Sequence, residues 1–277
     1  MRFHLKNVIY FSIKILYKKN KFLDMGKIIP IGLIIDLDGT LLPYSDIPNS
    51  KVVNSLRSLA KKNIPIIICS GRMHEGVSYY AKLMSLSFPQ ISDNGAKIFN
   101  PINDEVIYEE KMDTNETKKI LNQIIFLNKS FFIGQSGKLL HTVENVDFTS
   151  ISSITIRLSN HSEVEELKEK FSNHLISADS SVGSKNEWYI NLTKKGVNKG
   201  SGIFNFCKIF GFDPKKFIAV GDGLNDISMF NTVGISVAMG QSTKEVKENA
   251  DLVVGSVEDN GLLDVIKEFF IYNLFLF

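Results

Sequence analysis

Ile31-Gly32-Leu33-Ile34-Ile35-Asp36-Leu37-Asp38-Gly39-Thr40-Leu41 is a short apolar run that ends in two acids and a glycine. Its length and the breaking glycine read as a buried strand rather than a helix. The acids matter because ligands of an open parallel sheet gather at the carboxyl ends of its strands. Two carboxylates two residues apart can divide labour there. One can attack phosphorus as a nucleophile, and the other can carry a proton to a leaving alkoxide. Gly39 lets the chain turn close to a phosphate, and Thr40 offers a hydroxyl donor.

Working outward, residues 49–62 place Val52, Val53, Leu56, Leu59 and Ala60 at helical spacing among basic residues. Ile64-Pro-Ile-Ile-Ile-Cys69 is a second buried strand, closed by Ser70-Gly71-Arg72, and residues 73–86 suit a helix. Phe88–Ser92 leads to another strand end at Asp93-Asn94-Gly95. This alternation predicts a parallel sheet with helices on both faces. The middle differs. Short strands over 97–100 and 106–109 flank a turn, 113–128 and 163–174 read as helices, 131–134 and 138–142 form a hairpin, and 153–158 and 188–192 read as strands. The α/β pattern resumes with a helix over 199–210, a strand over 217–221 that runs into Asp222, and a helix from Asn225. Short strands over 235–239 and 252–254 and a closing helix over 258–270 follow. The expectation is an α/β, doubly wound, Rossmann-like core of residues 27–96 and 192–277, interrupted by an inserted α+β cap over 97–191.

The composition fits. The chain has 277 residues, 44% of them hydrophobic, enough for one large domain or two smaller ones. A net charge of +2 with no basic block interleaved with aromatics excludes a nucleic-acid partner. Cys69 and Cys207 make no disulfide framework and fit a reducing, cytoplasmic setting, with Cys69 expected to be a packed strand residue. The uncharged run Asn7–Ile13 is too short to span a bilayer, which takes about 20 apolar residues. No small-residue cleavage site follows it. Residues 1–26 therefore read as an extension outside the fold. It is either amphipathic, with Leu5, Ile9, Ile13 and Leu16 on one face, or a gene-model artefact ahead of a start at Met25; the second is favoured. The apolar tail Phe269–Phe277 is expected to pack on the core with its first phenylalanines. Its last residues are expected to meet the extension or a second subunit, as in a homodimer.

Three more strand ends carry chemistry. Ser70-Gly71-Arg72 can offer a hydroxyl and backbone N–H groups to a phosphate, with Arg72 either pairing with it or capping the loop. Gly221-Asp222-Gly223-Leu224-Asn225-Asp226 adds two carboxylates. Mg²⁺ takes hard oxygen ligands, which Asp36, Asp222 and Asp226 can supply with a carbonyl of Asp38. Lys199, near a helix start, can neutralise charge on the nucleophile and the phosphoryl group. His74, His141, His161 and His174 show no metal spacing and read as surface or loop residues. Trp188 and Tyr189 read as packing for the cap.

Asp36-x-Asp38-Gly-Thr, Ser70, Lys199 and Gly221-Asp222-x-x-Asn225-Asp226 together resemble the four motifs of the haloacid dehalogenase superfamily, in order. An α+β cap between the second and third motifs is similar to the Cof-type (type IIB cap) branch. Ile91–Ala96, Gly196-Val-Asn-Lys199-Gly200, Val237-Ala-Met-Gly240 and Glu258-Asp-Asn-Gly261 resemble further signatures of that branch. The resemblance covers about residues 30–270. It implies a phosphatase of small phosphorylated metabolites such as sugar phosphates or phosphoglycolate. Asp36 would be nucleophile, Asp38 general acid then base, and Ser70 and Lys199 would hold the phosphoryl group. Asp36, Asp38, Asp222 and Asp226 would hold Mg²⁺. Thr40, Gly71, Arg72, Asn94 and Asn225 would contact or position substrate. Lys194 and Lys195 compete for the third motif, but the Gly-Val-x-Lys-Gly context selects Lys199. Gln241-Ser242 stands where the branch commonly has Asn-Ala, which puts a polar contact near the site in question. A phosphomannomutase-like phosphotransferase should present several cap arginines, and residues 97–191 hold only Arg157. A non-catalytic sugar-phosphate-binding protein should have lost an acid, and none is missing.

Overall fold

A computed structural model describes residues 16–17, 30–43, 45–174, 176–182 and 187–272. The opening run becomes β2 (Gly32–Ile35), the second strand of the chain after β1 (Leu16–Tyr17). β2 lies inside a six-stranded sheet with β3 (Ile66–Ile68), β12 (Phe217–Gly221), β13 (Ile235–Ala238) and β14 (Leu252–Val253), in the order β1-β14-β13-β12-β2-β3. All pairs are parallel except the edge pair β1–β14. Leu33, Ile35, Ile66, Ile68, Ile218 and Val220 pack into one core, while Ile34, Ile67, Cys69 and Ala219 pack into another on the opposite face. Side chains alternate across a strand, so a sheet covered on both faces needs continuous apolar runs, as these strands have.

Helices cover each face. α1 (Ser50–Lys61) starts where the Asn49 side chain accepts from the Lys51 N–H. It buries Val52, Val53, Leu56 and Leu59, each stabilising by about 1.5–3 kcal/mol. α2 (His74–Leu83) and α8 (Gly261–Ile266) share that face, and Phe270 packs with them. α5 (Lys199–Phe210), α6 (Ile227–Thr232) and α7 (Lys244–Asn249) cover the other.

The middle of the chain forms a five-stranded antiparallel sheet in the order β10-β11-β9-β7-β8: β7 (Ser130–Gln135), β8 (Lys138–Leu140), β9 (Ile151–Leu158), β10 (Ile176–Val182) and β11 (Trp188–Lys194). α3 (Thr114–Phe126) and α4 (His161–Phe171) pack against it through Ile120, Leu121, Ile124, Val164, Leu167 and Phe171. Among the described residues no helix is long and apolar enough to cross a membrane.

Several sequence expectations need correction. The strand over 88–92 is β4 (Gln90–Ser92). It joins the parallel sheet only through a bridge between Cys69 and Ile91 and pairs antiparallel with β5 (Lys97–Phe99), which pairs with β6 (Val106–Glu109). The chain reverses at once through Asp93, Asn94 and Gly95, all at positive φ, so its nearest partner is the following strand. β10 and α7 were not expected. The helix from Asn225 opens as a 3₁₀ turn over Leu224–Asp226, and the last helix passes into a π-helical segment over Lys267–Tyr272. His74 is buried and stacks on Phe99 at 3.9 Å, no surface residue. Apart from Leu16 and Tyr17, the N-terminal extension lies outside the described residues through position 29, as does the tail after 272.

Candidate active site

The Asp36 N–H donates to the Val220 carbonyl (3.0 Å), so the neighbouring strand fixes the residue at the carboxyl edge of the sheet. The chain then folds back tightly: the Gly39 N–H donates to the Leu42 carbonyl (2.9 Å) and the Leu41 N–H to that of Leu37 (3.0 Å). Gly39 has φ +77°, and a Cβ on it would stand 2.1 Å from Asp222 Oδ2. Only glycine permits both the conformation and the approach. The Thr40 hydroxyl, buried, donates to Asp222 Oδ1 (3.2 Å).

At the end of β12, Asp226 Oδ2 accepts from the N–H groups of Asp222 and Gly223 (2.9 Å each). Its Oδ1 accepts from Lys199 Nζ at 2.5 Å. The same ammonium donates to Asp36 Oδ1 at 2.6 Å. Lys199 is 1% exposed. A capping box fixes its position, with Asn198 and Ser201 each satisfying the other's backbone N–H. Lys194, by contrast, pairs with Glu110.

Asp36, Asp222 and Asp226 each present an oxygen within 4.8 Å of the others. Burial pushes the Asp36 carboxyl up to about 7, against the pull of Lys199 and with the push of Asp226 and Asp38. Burial, then Asp36 and Asp226, raise Asp222 well above the carboxylate range. Against the cost of burial, Asp226 and Asp36 hold the Lys199 ammonium above its ordinary value. Three converging acids and one lysine leave surplus negative charge in a dry place, a hard-oxygen donor set that suits a divalent cation.

Asp38 stands apart from this trio. Arg72 grips it with both ends, Nε to Oδ2 (2.9 Å) and Nη2 to Oδ1 (2.6 Å), and Nη2 also reaches Asp46 Oδ1 (2.6 Å). The guanidinium sits over the Tyr80 ring, 5.5 Å from its centre, and the Tyr80 hydroxyl donates to the Asp46 carbonyl. Ser70, buried at the end of β3, accepts the Arg72 N–H on its hydroxyl (3.1 Å). A cavity of about 570 Å³ opens over these groups and is roofed by the antiparallel sheet, with Thr155, Ser181, Trp188, Tyr189 and Asn191 on its wall. Asn191 comes close enough that a Cβ on Gly71 would lie 2.9 Å from its Nδ2.

The haloacid dehalogenase-like hydrolase family model matches residues 33–149 and 136–266. The chain belongs to the haloacid dehalogenase-like hydrolases. Within them it is a phosphatase. It is 25% identical to a putative phosphatase of Mycoplasma genitalium over 86% of this chain and 98% of the relative. It is 24% identical to the 5-amino-6-(5-phospho-D-ribitylamino)uracil phosphatase YitU of Bacillus subtilis, covering 87% and 98%. A phosphoglycolate phosphatase of Methanopyrus kandleri is 25% identical, covering 85% and 95%. Among solved structures, the subclass IIB sugar phosphatase BT4131 superposes with a TM-score of 0.73 at 24% identity, covering 87% of this chain and 99% of the other.

For this member of the family, the fold gathers most of the residues its motifs named. Asp36, Asp38, Ser70, Gly71, Arg72, Asp222 and Asn225 line the cavity, and Lys199 and Asp226 lie just beneath it. Of the residues expected at a metal, the Asp36, Asp222 and Asp226 carboxylates converge, while Asp38, expected there through its backbone carbonyl, has its carboxylate turned to Arg72. Arg72 is thereby engaged by two acids. Asn94 is buried away from the cavity wall and donates to Asp179. Trp188 and Tyr189 line the cavity, and Trp188 also packs against the core of the antiparallel sheet. Gln241 clamps the first motif, donating to the Gly39 carbonyl and accepting from the Val257 N–H (3.1 Å). Asp46 carried no motif signal, and only the left-handed turn it occupies (φ +58°) sets it apart.

Proposed function

We propose that this enzyme is a Mg²⁺-dependent phosphomonoesterase of small phosphorylated metabolites that works through an aspartyl-phosphate on Asp36. The observation that carries the reading is Lys199 bridging Asp36 and Asp226 beside Asp222 at the floor of a roofed cavity. Asp36, Asp222 and Asp226 would hold the ion, which when bound screens the approach of two anions and polarises the phosphoryl oxygens.

Asp36 has Oδ1 committed to Lys199, so its other oxygen is assigned to attack phosphorus. The bond to the leaving oxygen breaks as the new P–O bond forms. Lys199 offsets charge on the nucleophile and on the phosphoryl group, and Ser70 and the neighbouring backbone hold the phosphoryl oxygens. Asp38, once it has left Arg72 and taken up a proton, gives that proton to the leaving alkoxide, then takes one from the water that attacks the aspartyl-phosphate and frees Asp36. Residues 27–96 and 192–277 are the proposed core and 97–191 the proposed cap, which keeps bulk water from the first step.

The relatives' phosphoglycolate and ribitylaminouracil phosphatase names support small phosphorylated metabolites as the substrate class. A phosphotransferase is less favoured. The single cap arginine, Arg157, faces Glu187 at 3.6 Å and is no part of the cavity wall among the described residues. Phosphate release from a panel of phosphorylated metabolites, with Mg²⁺ or with EDTA, tests the proposal. Release should need the metal and fall at least about a thousandfold in Asp36→Asn with the fold intact. Comparable hydrolysis by the variant would overturn the assignment.

A further inference from the structure

β4 ends in a knuckle of three left-handed residues, Asp93 (φ +53°), Asn94 (φ +53°) and Gly95 (φ +97°). Such a conformation is costly for residues with a Cβ and persists only where the surroundings hold it. Here they hold it from both sides. The Asp93 N–H donates to the Arg72 carbonyl (2.9 Å), and the Asn94 N–H to the Ser70 carbonyl (3.0 Å). Both bonds grip the loop that carries the second motif. Gly95 abuts the start of α5, where a Cβ would lie 2.0 Å from the Asn198 carbonyl, one residue before Lys199.

The side chains reach the other way, into the antiparallel sheet. Asp93 Oδ1 accepts from the Ser153 hydroxyl (2.7 Å) on β9. Asn94 Nδ2 donates to Asp179 Oδ2 (2.7 Å) on β10. Asn94 Oδ1 is buried and has no hydrogen-bond partner, so the Asp179 bond alone directs this amide. β10 also packs on the Leu224–Asp226 turn of the fourth motif. Burial raises the Asp179 carboxyl, while Asn94, Lys168 and Lys199 pull it down, so the acid lies within reach of the Lys199 charge.

We propose that Asn94 and Asp179 form a latch that ties the roof of the cavity to the Ser70–Arg72 loop and so sets the phosphate-holding groups when the roof is seated. Both are positioning residues, and neither touches substrate. The inference rests on the reading of Ser70 and Lys199 as phosphoryl ligands. Seating the roof and shaping the phosphate loop are then one event, because one residue, Asn94, bonds to both.

The test is a reciprocal exchange, read with p-nitrophenyl phosphate as substrate and inorganic phosphate as competing ligand. Asn94→Asp sets two carboxylates face to face. It should lower kcat/KM and raise the phosphate inhibition constant, each by about tenfold. Adding Asp179→Asn restores the bond with donor and acceptor exchanged and should bring both values back to within about threefold of wild type. A fold-stabilising role alone would shift the melting temperature without moving the phosphate constant. An unchanged constant in Asn94→Asp, or a double variant no better than the single, would overturn the latch. Should Asn94→Asp not fold, Asn94→Ala, Asp179→Ala and their double replace it. The double is then expected to lose no more than either single, and additive losses would overturn the latch. Wild type that releases no phosphate would instead sink the phosphatase reading on which the latch rests.

Discussion

Lys199 occupies the first position of α5, where the helix dipole disfavours a cation. The position makes sense only through Asp36 and Asp226, which take two of its three protons at 2.6 and 2.5 Å. Removing one partner of a buried ion pair leaves the other charge uncompensated and costs about 3–5 kcal/mol. Lys199→Met, close in volume, should therefore lower unfolding free energy in urea by about that much and abolish phosphate release. Near-wild-type stability would mean that the acids are neutral in the absence of the lysine. At this scale the motifs named residues well and partners poorly. Asp36, Asp222, Asp226 and Lys199 were legible because strand ends converge by topology. Arg72 and Asn94 were legible only as polar residues near the site. Their partners, Asp46 and Asp179, lie 26 and 85 positions away in sequence, and no local spacing connects them.

A helix that carries a catalytic group must be held at its end, and α5 is held by Asn198. Asn198→Ala removes one half of the capping box and should cost about 1 kcal/mol in a thermal or urea melt. It should also reduce kcat, because Lys199 follows directly, while Asn198→Asp, another good cap, should keep most of both. Equal activity in the alanine variant would show that the ion pairs alone place the lysine. α1 and α5 were legible because their apolar residues recur at helical spacing, and β12 because it is one continuous apolar run. β10 was not: Ile176-Ser-Ala-Asp-Ser-Ser-Val182 carries three serines and an acid, and much of its pairing is backbone bonding to β11. α7 has Val246 as its one buried residue, too little to show a period. The antiparallel partner of β4 was missed for a related reason, although the strand runs parallel to β3 as expected. A strand's own sequence states that it is buried, while its neighbour is chosen by the turn that follows, here three left-handed residues easily taken for a loop.

The buried acids tie the stability of the whole molecule to pH and to metal. Asp36 rises from its ordinary 3.8 to about 7 in the folded chain, and Asp222 rises too. Between about pH 4 and pH 7 the metal-free folded state thus holds more protons at these sites than the unfolded state, so their contribution to stability falls as pH rises through that window. His74, lowered by burial and by Lys97, acts in the opposite sense over part of the same range. Glu116, held down to about 2 by Lys119 and His174, changes only at lower pH. The contribution of Asp36, with its push on Asp222, is therefore isolated as a difference between wild type and Asp36→Asn in EDTA. The melting temperature of wild type should drop relative to the variant between about pH 5.5 and pH 8. A cation that binds only the folded state stabilises it by RT ln(1 + c/Kd), where c is the free cation concentration, and protons on Asp36 and Asp222 compete with it. The rise in melting temperature on adding saturating Mg²⁺ should accordingly be larger at about pH 8 than at about pH 5.5 in wild type, and small at both in Asp222→Ala. A metal-induced rise that is the same at both pH values would mean that the ion binds away from these carboxylates, and the assignment of Asp36 and Asp222 as its ligands would fall with it.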